Sequence, residues 1–187
     1  MLCSTFSKSL ACCIVFLAAS VPANAETFQA TLLGINEVPP NGSPGSGSIT
    51  VIFNSVTDFE VSETFSGLTA AASAAHIHCC ALPGVVAPVV LPFTQAEGFP
   101  IGMTAGTFNH TFNLTTDLTG ITVSAFIAGL DGGQAYANIH NAPHPGGEIR
   151  GQLPAVPLPA ALPLFASGLA GLGLLGWRRK RKAQAAA

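Results

Sequence analysis

The chain is expected to fold as an antiparallel all-β domain, a Greek-key-like sandwich or barrel. Three observations support that expectation. Between Phe28 and Leu153 the apolar residues recur mostly with period two, the period at which strand side chains return to the same face. Breakers divide this stretch, as in Pro39-Pro40-Asn41-Gly42-Ser43-Pro44-Gly45 and Asp131-Gly132-Gly133. Only Ile121 to Leu130 reads as a short helix. Many short strands at regular spacing belong to sandwiches and barrels.

Taken in order, the chain opens with a leader. Lys8 precedes an apolar stretch from Leu10 to Val21, and Ala23-Asn24-Ala25 supplies the small-x-small pattern that signal peptidase needs. Residues 1–25 are therefore expected to be a signal peptide, cut between Ala25 and Glu26. Cys3, Cys12 and Cys13 would leave with it, and no lipoprotein-type sequence precedes Cys12 or Cys13. Strands follow where Phe28, Ala30 and Leu32 alternate, again at Ile49, Val51 and Phe53, and again at Phe108, Phe112 and Leu114. His110 shares the parity of Phe108 and Phe112, which reads as a packed histidine rather than a ligand.

The 128 residues of the expected mature domain, 26–153, hold all nine acids of the chain and one base, Arg150, a formal charge of −8. Such a surface repels phosphate backbones, so nucleic acid is not an expected partner. Nine of the twelve Phe lie here, but no Trp and a single Tyr, Tyr136, so stacking platforms for sugars are scarce. One domain of this size buries a core without disulfides. Enzyme signatures are missing: there is no nucleophile elbow, no phosphate-cradling glycine loop ending in Lys, and no core Lys for a Schiff base. A non-catalytic role is expected.

The tail from Pro154 to Ala187 has three parts. Val156-Pro157-Leu158-Pro159 leads into an uncharged run from Ala160 to Trp177, which ends against Arg178, Arg179, Lys180, Arg181 and Lys182. As a helix the run would measure roughly 27 Å, close to a bilayer's hydrocarbon core. One C-terminal transmembrane span at about 160–177 is expected, with the basic end 178–182 cytoplasmic and everything earlier outside. These parts resemble the PEP-CTERM class of sorting signals in a Val-Pro-Leu-Pro-Ala form. The resemblance implies an exosortase-type protease as partner, a transient membrane anchor, and release to the cell surface or an exopolysaccharide or protein matrix.

Two segments repeat a theme. Ala75-His76-Ile77-His78 and Tyr136-Ala137-Asn138-Ile139-His140 each place Ile on one strand face and histidine on the other. The second continues through Asn141-Ala142-Pro143-His144-Pro145 to Gly146-Gly147-Glu148-Ile149-Arg150-Gly151-Gln152-Leu153. With Asn36-Glu37-Val38-Pro39-Pro40 near the start, these three separated motifs resemble a CHRD domain, the module named after chordin and common in exported bacterial proteins. The resemblance covers about Phe28 to Leu153 and implies a module, with no particular reaction.

The residues leave the site chemistry open. His76 and His78 share a strand face, His140 or His144 would add a third nitrogen, and Glu37 or Glu148 an oxygen, a set compatible with zinc or copper. The alternative is that these histidines hydrogen-bond loop backbone and the two glutamates. Cys79-Cys80 admits a vicinal disulfide, a link to another chain, thiolates joining His76 and His78 around a soft metal, or two inert buried thiols. Asn36, Glu37, Asn138, Gly146, Gly147 and Arg150 read as structural motif residues. Arg150, the one base of the domain, is expected to be ion-paired to Glu37 or Glu148, the alternative being a binding residue for a ligand carboxylate.

Overall fold

A computed structural model describes residues 26–55, 57–156 and 161–184. The expected leader, including Ala25, lies outside the described residues, as do Pro157, Leu158 and Pro159 of the sorting motif.

The expectation of an antiparallel all-β domain holds. Eight strands form it: β1 (Thr27–Leu33), β2 (Ser46–Phe53), β3 (Asp58–Ser66), β4 (Ala72–His78), β5 (Val89–Phe93), β6 (Gly106–Asn113), β7 (Tyr136–Asn141) and β8 (Ile149–Gln152). They make one sheet in the order β5-β4-β7-β8-β1-β2-β3-β6, every pairing antiparallel. The sandwich-or-barrel expectation resolves into a single curled sheet, a half-barrel. The two four-stranded halves stay joined because β1 pairs with β2 on one side and β8 on the other, at Leu33 and Arg150. Past β8 the chain keeps to the same edge of β1: Gln29 N–H donates to the Pro154 carbonyl at 3.4 Å, and Val156 N–H to that of Thr27 at 2.7 Å.

Curling brings the outermost strands together through side chains. Phe93 on β5 lies 5.0 Å from Phe108 and 5.6 Å from Phe112 on β6, ring centre to ring centre. The concave face is lined by the period-two residues of every strand, among them Phe28, Leu32, Ile49, Val51, Phe59, Val61, Ile77 and Ile139, all buried. Two helices follow β6: α1 (Leu114–Asp117), whose N-terminus is capped by the Asn113 side chain, and α2 (Val123–Asp131), capped by Thr122. The expected helix over 121–130 is thus found, displaced by a residue or two. α2 closes one end of the core, with Phe126 packed edge-on to Phe59 at 5.4 Å and Leu130 buried beside it.

The expected transmembrane span is corrected. A helix, α3 (Ala161–Gln184), covers that segment, but among the described residues no helix is long and apolar enough to cross a membrane. Gly168, Gly171, Gly173 and Gly176 add little apolar area, and α3 runs on unbroken through Arg178 and Arg181.

Candidate functional site: a histidine cluster on the outer sheet face

Strand parity divides β4, β7 and β8 into two faces. Ala75, Ile77, Ala137, Ile139 and Ile149 enter the core, so His76, His78, Tyr136, Asn138, His140 and Arg150 face outward. Register sets them side by side, His76 opposite Asn138, His78 opposite Tyr136, and Asn138 opposite Arg150. This polar row would be solvated on a bare sheet. Here the loop from Ala81 to Pro88 lies over it: Cys79 N–H donates to the Pro88 carbonyl, and the Tyr136 hydroxyl accepts from Ala87 N–H at 3.2 Å.

Under that cover three imidazoles converge. One nitrogen from each of His76, His78 and His140 lies within 4.8 Å of the others. His78 stacks on Tyr136 at 4.6 Å, nearly parallel, and its Nδ1 lies 2.8 Å from the Ala87 carbonyl. His140 Nδ1 lies 3.0 Å from the Pro145 carbonyl, and its Nε2 3.0 Å from Asn138 Oδ1. His76 Nδ1 and His78 Nε2 are buried without a hydrogen-bond partner. Burial disfavours the imidazolium, so His76 is pushed down to about 4, with His140 and His78 adding repulsion. His78 and His140 are also lowered, chiefly by burial, against the pull of their carbonyl partners. Burial thus favours the neutral form of all three rings.

The other expected ligands are elsewhere. Glu148, fully buried, accepts from Ser43 Oγ at 2.5 Å and Thr69 N–H at 2.7 Å, and from the Asn141 amide in a very short contact. Its carboxylate ties two loops to the end of β7. His144 is half-buried, with Nδ1 at 3.2 Å from Asn141 Oδ1, in the same loop network. Glu37 is 4 % exposed, and its carboxyl is raised to about 7, first by burial, while Arg150, the Val38 backbone and Asn138 pull it down. Gly147, at φ 130°, lets this carboxylate approach; a Cβ there would overlap it. Asn36 Nδ2 donates to the Arg150 carbonyl at 3.1 Å, tying the first motif to the last. Gly146, beside Gly147, has open space where a Cβ would stand.

The expected ion pair of Arg150 needs revision. The Arg150 fork hydrogen-bonds a backbone carbonyl, that of Val85, at 2.9 Å, not a carboxylate, and its guanidinium carbon sits 3.3 Å above the Tyr136 ring centre. Glu37 acts on it through space, and the hydrogen bonds of Glu148 take that carboxylate into its own network. Arg150, Tyr136 and His78 therefore form a stacked column. Cys79 and Cys80 form a vicinal disulfide. Cys79 belongs to the core cluster, Cys80 Sγ lies 3.8 Å from the Ala125 carbonyl of α2, and Gly129 of α2 packs against both sulfurs.

His110, half-buried, is flanked by Phe108 at 6.1 Å and Phe112 at 4.6 Å, as its parity implies. Sequence reading missed Glu63. It is 1 % exposed on β3, at the core parity of Phe59, Val61 and Phe65, and both of its oxygens lack partners. That parity was the available signal.

The geometry defines an antiparallel all-β module whose motifs meet in a polar row on the outer face of the sheet. The chain belongs to the CHRD domain family, which matches residues 28–153, and the resemblance carried by its three motifs is confirmed. No curated protein and no solved structure matches the chain.

Proposed function

We propose that this chain is an exported CHRD module, displayed at the cell surface or in the surrounding matrix after signal-peptidase cleavage before Glu26 and sorting through its Val156-Pro157-Leu158-Pro159 tail by an exosortase-type protease. Family membership supports a non-catalytic module. The observation that carries the address is the arrangement of the sequence: an acidic domain with one base, between an apolar leader ending Ala23-Asn24-Ala25 and a tail whose apolar run is followed by five cationic residues. The Cys79–Cys80 disulfide supports an oxidising compartment. Fractionation of cells making the full chain tests this. Mature protein starting at Glu26 in the envelope or medium is the expected result, and unprocessed chain confined to the cytosol would overturn it.

A second reading is favoured by the convergence of His76, His78 and His140: an envelope protein that binds copper or zinc. Elemental analysis of the purified chain tests it, with about one ion per chain expected. Metal-free protein after loading and dialysis would remove it.

A further inference from the structure

We infer that His76, His78 and His140 form an all-nitrogen site for one divalent copper or zinc ion, in which Cys79 and Cys80 take no part. The inference rests on the metal-binding reading and names its donor set. A neutral imidazole carries one N–H, so a nitrogen that donates to a carbonyl leaves the other as a lone pair. His78 gives its Nδ1 hydrogen to Ala87 and His140 gives its own to Pro145, which fixes Nε2 as the free donor atom on both rings. Backbone carbonyls locking ring tautomers are the outer shell expected of histidine metal sites.

Two orphaned atoms point the same way. His78 is 7 % exposed and its Nε2 has no partner, and neither has the buried Nδ1 of His76. Leaving such groups unsatisfied carries a desolvation cost that coordination removes. His140 Nε2 faces Asn138 Oδ1 at 3.0 Å, a pairing of two acceptors unless the Asn138 amide is turned to donate. Asn138, 2 % exposed, is therefore the side chain that must release His140 for an ion to bind.

The donors are preorganised. His76 and His78 are two apart on β4, and His140 stands on the adjacent β7, where its register partner is Ala74. Three neutral nitrogens and no carboxylate suit Cu²⁺ or Zn²⁺ rather than Ca²⁺ or Mg²⁺. A fourth position remains for water or a small anion. The sulfurs are excluded on two grounds: Cys79 follows His78 and so enters the opposite, core face, and the exposed Cys80 is bonded to it through sulfur, with both sulfurs against Gly129 of α2.

The test uses the full chain with Cys3→Ser, Cys12→Ser and Cys13→Ser, which silence the leader thiols, titrated separately with Cu²⁺ and Zn²⁺ against a competing chelator. One ion per chain is expected, with imidazole nitrogen couplings in the Cu²⁺ electron paramagnetic resonance spectrum. His140→Gln should weaken binding by about 100-fold or more with the melting temperature of the metal-free protein retained. Cys79→Ser/Cys80→Ser should leave the affinity unchanged. Sulfur ligation in the spectrum of the chain with its disulfide cysteines intact, or binding kept in His140→Gln and lost without the cysteines, overturns the donor set while leaving a metal-binding protein. Failure of that chain to bind either ion overturns both.

Discussion

Glu63 is a carboxylic acid set among phenylalanines, with Ile49 and Phe108 as its register partners on the neighbouring strands. Burial alone raises it to about 8 from an ordinary 4.5. Between those two pH values the folded chain keeps a proton that the unfolded chain releases, so stability falls as pH rises through this window and levels off above it. The gap between the two values sets an upper bound of about 5 kcal/mol on the effect. Glu63→Gln should flatten this decline, read as urea midpoints from pH 4.5 to 8.5; parallel curves for the two proteins would refute the assignment. Glu148 behaves oppositely as a structural group, because its carboxylate satisfies donors from two loops and the end of β7. Glu148→Ala strands those donors, and a loss of about 3 kcal/mol or more is expected in thermal unfolding. A melting temperature within a degree of the parent would show that the loops hold without it.

The element that organises the site is β8 with the glycine turn before it. Arg150 leaves β8 to cover Tyr136 and to hold the loop from Ala81 to Pro88 through Val85. Arg150→Ala should cost about 3.5–5 kcal/mol, the sum of a desolvated cation–π contact and one charge-assisted hydrogen bond. Arg150→Lys should not rescue it, since an ammonium cannot stack as a plane. Chemical denaturation of both variants reads this, and full rescue by Lys would contradict the stacking role. Much of this element level was legible in the sequence. Period two marked the strands around Phe28, Ile49 and Phe108, and the parity of His76 and His78 put both on one face. What stayed hidden depends on long-range register. Nothing local to Tyr136 announces that Arg150 and His78 stack on its two sides, and nothing local to His144 or Glu148 announces that Ser43, Thr69 and Asn141 claim that loop. The tail misled for a different reason. The apolar run up to Trp177 is not a separate unit, because the helix from Ala161 continues through the cations.

At the scale of the molecule, the half-barrel is closed by aromatic contact where hydrogen bonds are lacking, Phe93 meeting Phe108 and Phe112 across the gap between the outermost strands. Phe93→Ala should cost about 3–5 kcal/mol and raise amide exchange in β5 and β6 before that in β1 and β2. Uniform exchange across all four strands would mean the seam carries no special share of the stability. The bonding of Thr27 to Val156 has a further effect, because it makes the domain enter and leave at one pole. The histidine row is level with the other end of β1: His76 aligns through Asn138 and Arg150 with Leu33, six residues from Thr27 and roughly 20 Å along the strand. A tether at either terminus thus holds the module by the same end, like a lamp on its stem, with the imidazoles toward the far pole.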